Sequence, residues 1–161
     1  MTFTRSILLA MGLAIGTAAL AHTDEYLDTQ KAPNGGQQRM AGMYHFELVV
    51  AKDAKDTQPS PVVVHVTDHA GAALATAGAT GTATILSGKT KTTVTLSPDG
   101  SNRLKGTGQY AASPDMKVVL SITLAGKAPE QARFTPLAPT KPATPAAAAA
   151  PAADDHSNHK H

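Results

Sequence analysis

The chain has 161 residues, with 14 Lys and Arg against 12 Asp and Glu. A formal net charge of +2 gives nucleic acid or an anionic membrane no electrostatic basis as a partner. The chain contains no cysteine, which excludes disulfides, thiolate catalysis and zinc–cysteine sites.

The first 21 residues have the three parts of a secretory signal peptide. Arg5 supplies a positive charge, residues 7–20 form an uncharged apolar stretch, and residues 19–21 have the small-x-small pattern of a cleavage site. The stretch is shorter than the roughly 18–20 apolar residues of a membrane span, which favours cleavage over an uncleaved anchor. We therefore expect a protein exported to the periplasm of a Gram-negative cell, with no membrane span after processing.

Composition divides the rest of the chain into three parts. Residues 22–42 form a polar, turn-rich N-terminal segment, and residues 43–137 carry nearly all the β-branched residues. Residues 138–161 are a Pro/Ala-rich linker that ends in a His-containing stretch. Because this last part has no large apolar residue, it is predicted to be a disordered tail.

The central part has the pattern of short strands separated by turns at intervals of about 8–12 residues. Alternation places Tyr44, Phe46 and Leu48 on a core face, with His45 and Glu47 on the other face. The predicted fold class is therefore all-β, an immunoglobulin-like sandwich of about seven strands. Strands are predicted at 43–50, 62–66, 83–86, 92–96, 103–108, 116–124 and 132–136.

The sequence contains no signature of an enzyme. It has no nucleophile elbow, no Walker-type loop and no dinucleotide-binding fingerprint. The glycines within residues 80–82 and 106–108 are interpreted as turns or bulges. Asp68 and His69 are adjacent, so on a strand they would point to opposite faces, and residues 68–71 are typical of a turn. No catalytic residue is predicted.

Metal binding has better support, beginning with the predicted mature N-terminus. Cleavage after Ala21 makes His22 the first residue, and its α-amine and imidazole together can chelate Cu(II). Asp24 is close enough in sequence to add an oxygen ligand. The alternative is a frayed terminus that begins with histidine by chance.

A second candidate site combines sulfur and nitrogen ligands. Met40, Met43 and His45 place two thioethers and one imidazole within six residues, and soft sulfur ligands favour Cu(I). Strand alternation puts Met43 on the face of His45, which favours a ligand over a methionine that fills a gap in the core. His69 is an additional ligand if its turn folds back onto that edge. His65 is interpreted as a surface histidine.

The C-terminal stretch supplies a third candidate site. His156, His159 and His161, together with Asp154 and Asp155, put five potential ligands within eight residues. A flexible cluster of this kind suits weak capture of Cu(II), with zinc or nickel less favoured. A pH-sensing role is the alternative, because imidazole titrates near neutral pH.

A resemblance to a known family rests on three stretches: Ala-Pro-Asn-Gly-Gly-Gln at 32–37, Phe-Glu-Leu-Val at 46–49 and Val-His-Val-Thr-Asp-His-Ala-Gly at 64–71. The chain resembles small periplasmic heavy-metal and copper-handling proteins, and is similar to the short N-terminal domain of metal-efflux periplasmic adaptor subunits. In that pattern a Pro-His-Gly-Gly turn precedes a strand that ends in Glu-Leu-Val. This chain has Asn34 in place of the His, so the turn itself is not predicted to bind metal. The resemblance implies a metal context.

These features together predict a periplasmic metal-binding accessory protein, with copper favoured, that is not an enzyme. It would sequester the ion or pass it to a periplasmic efflux or metal-assembly protein. The main alternative is a protein-interaction module of a cell-envelope complex that binds no metal. A less favoured one is an oxidative copper enzyme in which His22 forms part of a two-histidine brace.

Overall fold

The computed structural model describes residues 23–139, which form one short helix and eight antiparallel strands. The helix, α1, spans Asp24–Thr29. The strands are β1 (Gln37–Ala41), β2 (Tyr44–Val50), β3 (Pro59–Asp68), β4 (Thr80–Ser87), β5 (Thr90–Pro98), β6 (Arg103–Gln109), β7 (Lys117–Thr123) and β8 (Pro129–Phe134). The predicted all-β class is confirmed, with eight strands where about seven were expected.

The strands follow the order β1-β2-β3-β6-β5-β4-β7-β8 in a single sheet. β4, β5 and β6 form a meander, and β3 and β7 flank it through longer connections, so two Greek-key arrangements share these three strands. The first and last strands approach each other. The backbone N–H of Thr135, just after β8, donates a hydrogen bond of 2.8 Å to Oε1 of Gln37 in β1. The sheet is nearly closed around one core.

Strand β2 separates that core from the outer face of the sheet. Phe46 and Leu48 are fully buried inside, as the alternation predicts. Because successive side chains of a strand point to opposite faces, the side chains of His45 and Glu47 project from the outer face. His45 and Glu47 are therefore on the outside of a packed strand.

Strand β1 lies in the segment 22–42, which the sequence analysis left outside the sheet, yet it pairs with β2 along its whole length. Its pattern lacks an apolar alternation because Arg39 takes an inward position. The Arg39 side chain is 8% exposed and donates hydrogen bonds of 2.7 and 2.9 Å to the two carboxylate oxygens of Asp28. A charge-assisted pair thus occupies a position where a strand pattern predicts an apolar residue.

Helix α1 is the second element that the sequence analysis missed. Thr23 caps it, since its Oγ1 accepts a hydrogen bond of 3.2 Å from the backbone N–H of Tyr26. Asp24 and Glu25 in the first turn interact favourably with the helix dipole. A helix of six residues is unstable alone, and the buried Leu27 anchors it. Among residues 23–139, no helix has the length and apolar character to cross a membrane.

Two glycines allow β5 to pass close over β6. Gly106 and Gly108 lie inside β6, as the strand predicted at 103–108 requires, and no turn interrupts the strand there. A Cβ at Gly106 would collide with the backbone carbonyl oxygen of Thr95, and a Cβ at Gly108 with the side chain of Val94. Because neither glycine has a side chain, β5 can approach β6 closely at the corner of the sheet.

Replacement of Gly106 by alanine is expected to lower the free energy of unfolding by at least about 2 kcal/mol, in the range of core overpacking. The obstacle is a backbone carbonyl, which cannot rotate away as a side chain does. Chemical denaturation followed by circular dichroism measures the effect, and Lys105→Ala, at an exposed position of the same strand, is the control. Equal stability of Gly106→Ala and the wild type would show that β5 does not need this close approach.

Candidate metal site on the outer face of strands β1 to β3

A row of three side chains crosses the outer face of β1, β2 and β3. In the strand register Met40 lies opposite His45, and His45 lies opposite Thr67. Directly opposed residues have Cβ atoms about 4.5–5.5 Å apart. The thioether of Met40 is therefore within reach of the His45 imidazole, as their proximity in sequence predicts.

His69 reaches the same row from the turn that follows β3. Oδ1 of Asp68 accepts hydrogen bonds from the backbone N–H groups of Ala70 at 2.9 Å and Ala72 at 2.8 Å. These bonds form the predicted turn and fold it back over the strand. The ring centre of His69 lies 5.2 Å from that of His45, with the ring planes 30° apart. Asp68 thus positions His69 through the backbone, a role that the sequence analysis missed.

The separation of the two rings fits two imidazoles on one ion. With metal–nitrogen distances of about 2.0 Å each ring centre lies about 3 Å from the ion, so ring centres about 5–6 Å apart span tetrahedral to linear angles. The observed 5.2 Å lies in this range, and because the rings are stacked, each would turn about its side-chain bonds to direct a nitrogen at a shared ion. Two imidazoles and the thioether of Met40 form a donor set that suits Cu(I), because soft thioether ligands select that ion.

The two imidazoles differ in their access to solvent. His45 is 5% exposed, whereas His69 is exposed. The buried hydroxyl of Thr67, beside His45 in the register, has no hydrogen-bond partner among the described residues. The row therefore combines a covered imidazole with one that opens to solvent.

Met43 lies beside this row and not in it. The sequence analysis placed it on the strand face of His45, but β2 begins at Tyr44 and Met43 belongs to the preceding turn. Gly42, the other turn residue, has a φ of +57°, as expected at the first central position of a type II′ hairpin turn. Met43 is 76% exposed at the tip of this hairpin.

The other predicted ligands lie outside the described residues: His22, His156, His159 and His161. The predicted signal peptide and the tail beyond residue 139 lie outside them as well. Among residues 23–139, no three side chains of the types His, Cys, Asp and Glu lie close enough together to hold a metal ion. The described donors are two imidazoles and one thioether.

Glu47 holds the N-terminal segment against the same outer face. Its Oε1 accepts hydrogen bonds from the backbone N–H groups of Asn34 at 2.7 Å and Gly36 at 3.0 Å, and its Oε2 accepts one of 2.8 Å from the Asn34 side chain. Glu47 is 4% exposed, so these are charge-assisted bonds in a buried setting. The Asn-Gly-Gly turn and the Glu-Leu-Val strand of the resemblance are thus direct partners, a pairing that the sequence analysis missed.

His65 lies between Glu47 and Arg103 in the strand register. Partial burial lowers the pKa of His65, the Glu47 carboxylate acts in the opposite direction, and the Arg103 guanidinium lowers the pKa further. The net effect keeps this imidazole neutral at neutral pH. His65 is partly buried beside the row of Met40 and His45.

Comparison with protein-family models and with curated proteins finds no match for this chain. The resemblance to copper-handling proteins therefore stays a prediction.

Replacement of Glu47 by glutamine is expected to lower the free energy of unfolding by about 2 kcal/mol. The three N–H donors of Asn34 and Gly36 lose a charged acceptor, and at least one of them then faces the N–H group of the glutamine amide. Asn34→Ala removes one donor of the three and is expected to cost about 1 kcal/mol. Urea denaturation measures both values, and hydrogen exchange at the Asn34 and Gly36 amides should accelerate in Glu47→Gln. A Glu47→Gln protein as stable as the wild type would contradict this role.

The lowered pKa of His65 makes stability depend on pH. Unfolded histidine ionises near 6.5 and the folded His65 ionises below that value, so the unfolded chain takes up the proton first. Stability is therefore present at neutral pH and falls as the pH drops below about 6.5. Between about pH 7 and pH 5, urea denaturation should show a smaller loss of stability for His65→Gln than for the wild type. Equal losses would refute the assignment.

Proposed function

We propose that this protein is a periplasmic copper-binding accessory protein that sequesters the ion or hands it to an efflux or metal-assembly partner. Met40, His45 and His69 hold the ion on the outer face of β1 to β3. The observation that carries the proposal is the approach of the His45 and His69 rings to 5.2 Å beside Met40. The predicted signal peptide supports the periplasmic location.

The donor set supports copper over other metals. Thioether sulfur is a soft ligand that favours Cu(I), whereas zinc and nickel sites rely on imidazole, thiolate or carboxylate. All three proposed ligands are uncharged when they bind, which suits a monovalent ion. Imidazoles also bind Cu(II), so the two oxidation states are compared in the same experiment.

The position of the site supports binding and release over catalysis. Metal-assisted catalysis needs a shaped cavity that excludes water around the substrate. Here the donors lie on the outer face of a sheet, with His69 exposed to solvent. An ion on such a face is accessible to a partner protein.

The tail histidines are proposed to form a second, weaker site. His156, His159 and His161 follow a Pro/Ala-rich spacer in the sequence, and such spacers are semi-extended. This stretch is proposed to collect ions for the folded site. His22, at the predicted mature N-terminus, is proposed as a further Cu(II) ligand.

Titration of the purified apo-protein with Cu(I), in competition with a chromogenic chelator, tests the folded site. We expect sub-micromolar binding, and we expect Met40→Leu and His69→Ala each to weaken it by at least about 10–100-fold, the cost of losing even an outer-shell partner of a ligand. His65→Gln, on the adjacent row of the same face, is the matched control and should bind like the wild type. The same titration with Cu(II) shows which oxidation state is preferred.

A variant with His156, His159 and His161 all replaced by glutamine separates the tail from the folded site. Sub-micromolar binding should persist in this variant and weaken below about pH 6, because imidazoles must lose protons to bind the ion. Binding that disappears in this variant, and is unaffected by Met40→Leu, would refute the folded site. Only weak binding that depends on the tail would favour a protein-interaction module, with no metal site in its folded domain.

A further inference from the structure

Met43 carries a further inference, which rests on the proposed copper site. It is 76% exposed, against 49% for Tyr26 and 42% for Leu86, the other exposed large apolar residues in the described part of the chain. A single exposed apolar side chain is ordinary on a protein surface. Met43 differs because the two strands that leave its turn carry Met40 and His45.

The hairpin turn fixes Met43 at this position. Ala41 pairs with Tyr44, so Gly42 and Met43 are the whole turn. The carboxylate of Glu130 lies against Gly42, at the place that a Cβ would occupy. The turn therefore rests on the beginning of β8, and Met43 extends from it into solvent.

Met43 is close to two of the resting ligands along the chain without being opposite them in the sheet. Met43 follows Met40 by three residues and precedes His45 by two, and consecutive Cα atoms are about 3.8 Å apart. The unbranched methionine side chain is flexible, so it can turn towards the row while the backbone stays in place. In the register Met43 lies opposite none of the three ligands, because it belongs to the turn.

We propose that Met43 is a transfer ligand, the sulfur that takes the ion as it leaves the resting site. A bond from Cu(I) to the Met43 sulfur forms while the bond to the exposed His69 nitrogen breaks. Donors of the acceptor then displace His45 and Met40 in turn, and the bond to the Met43 sulfur breaks last as a further acceptor donor binds the ion. The ion remains Cu(I) throughout, no electron is transferred, and the released imidazoles leave as neutral groups.

This role defines the chemistry of the acceptor. It is a copper site with thioether, thiolate or imidazole donors that can approach the tip of the β1–β2 hairpin. Transfer through a shared intermediate depends on the acceptor concentration, whereas simple dissociation does not. Removal of a transfer ligand is therefore expected to slow the copper transfer that depends on acceptor concentration, whereas removal of a resting ligand is expected to lower the affinity for copper.

Stopped-flow transfer of Cu(I) from the loaded full-length protein to bicinchoninate, a soluble Cu(I) chelator, tests the proposal. Met43→Leu keeps the apolar volume and removes the sulfur. It is expected to keep the wild-type affinity and to slow the concentration-dependent transfer by about tenfold, the lower end of the range for a lost interaction at a metal site. Met40→Leu is the matched control, with weaker affinity and faster release.

Two results would overturn the transfer role while the proposed function stands. One is a Met43→Leu protein that transfers copper at the wild-type rate. The other is a Met43→Leu protein whose affinity falls as far as that of Met40→Leu, because Met43 would then be a resting ligand. Failure of the wild type to bind Cu(I), measured before any transfer, removes the proposed function and the transfer role together.

Discussion

The register of β1, β2 and β3 is the constraint on which the outer face depends. Phe46 and Leu48 point into the core, and burial of each such side chain contributes roughly 2–3 kcal/mol. If the pairing of these strands shifted by one residue, the side chains of Phe46 and Leu48 would move to the outer face and that of His45 to the core, since side chains alternate along a strand. Core packing therefore decides that Met40, His45 and Thr67 share one row, although none of these three outer side chains contributes to that core.

Two paired charges make the N-terminal segment part of the domain. On the inside, Arg39 is bonded to Asp28 of helix α1, and on the outside Glu47 is bonded to the turn at Asn34 and Gly36. Loss of Asp28 leaves the buried Arg39 with only the Asp24 carboxylate at 3.6 Å, and loss of the turn's donors leaves the Glu47 charge buried without compensation, which is costly. The stretches that resemble copper-handling proteins include the two sides of the Glu47 contact, so their first role is to define the fold. The proposed metal ligands lie next to this contact.

The proposed site combines opposite requirements for a protein that binds an ion and later gives it up. His45 is covered and held by its strand, which reduces the ordering that binding requires. His69 is exposed and depends on a turn that Asp68 folds, so the ion has a side open to solvent and to a partner. Met43 extends the same opening to the hairpin tip. This gradient from covered to exposed donors is the physical basis of the proposed handover.

The sequence by itself determined the strand β2, with Phe46 inside and His45 outside, and the reversal at Asp68, because alternation and turn chemistry act between neighbouring residues. It did not reveal β1 or α1, because Arg39 breaks the apolar pattern and a helix of six residues lacks a periodic signal. The tertiary structure decided that His69 lies against His45 and that Glu47 receives the turn at 34–36. These contacts depend on strand pairing and chain reversal over many residues, and local residue patterns carry no information about which distant segments will meet.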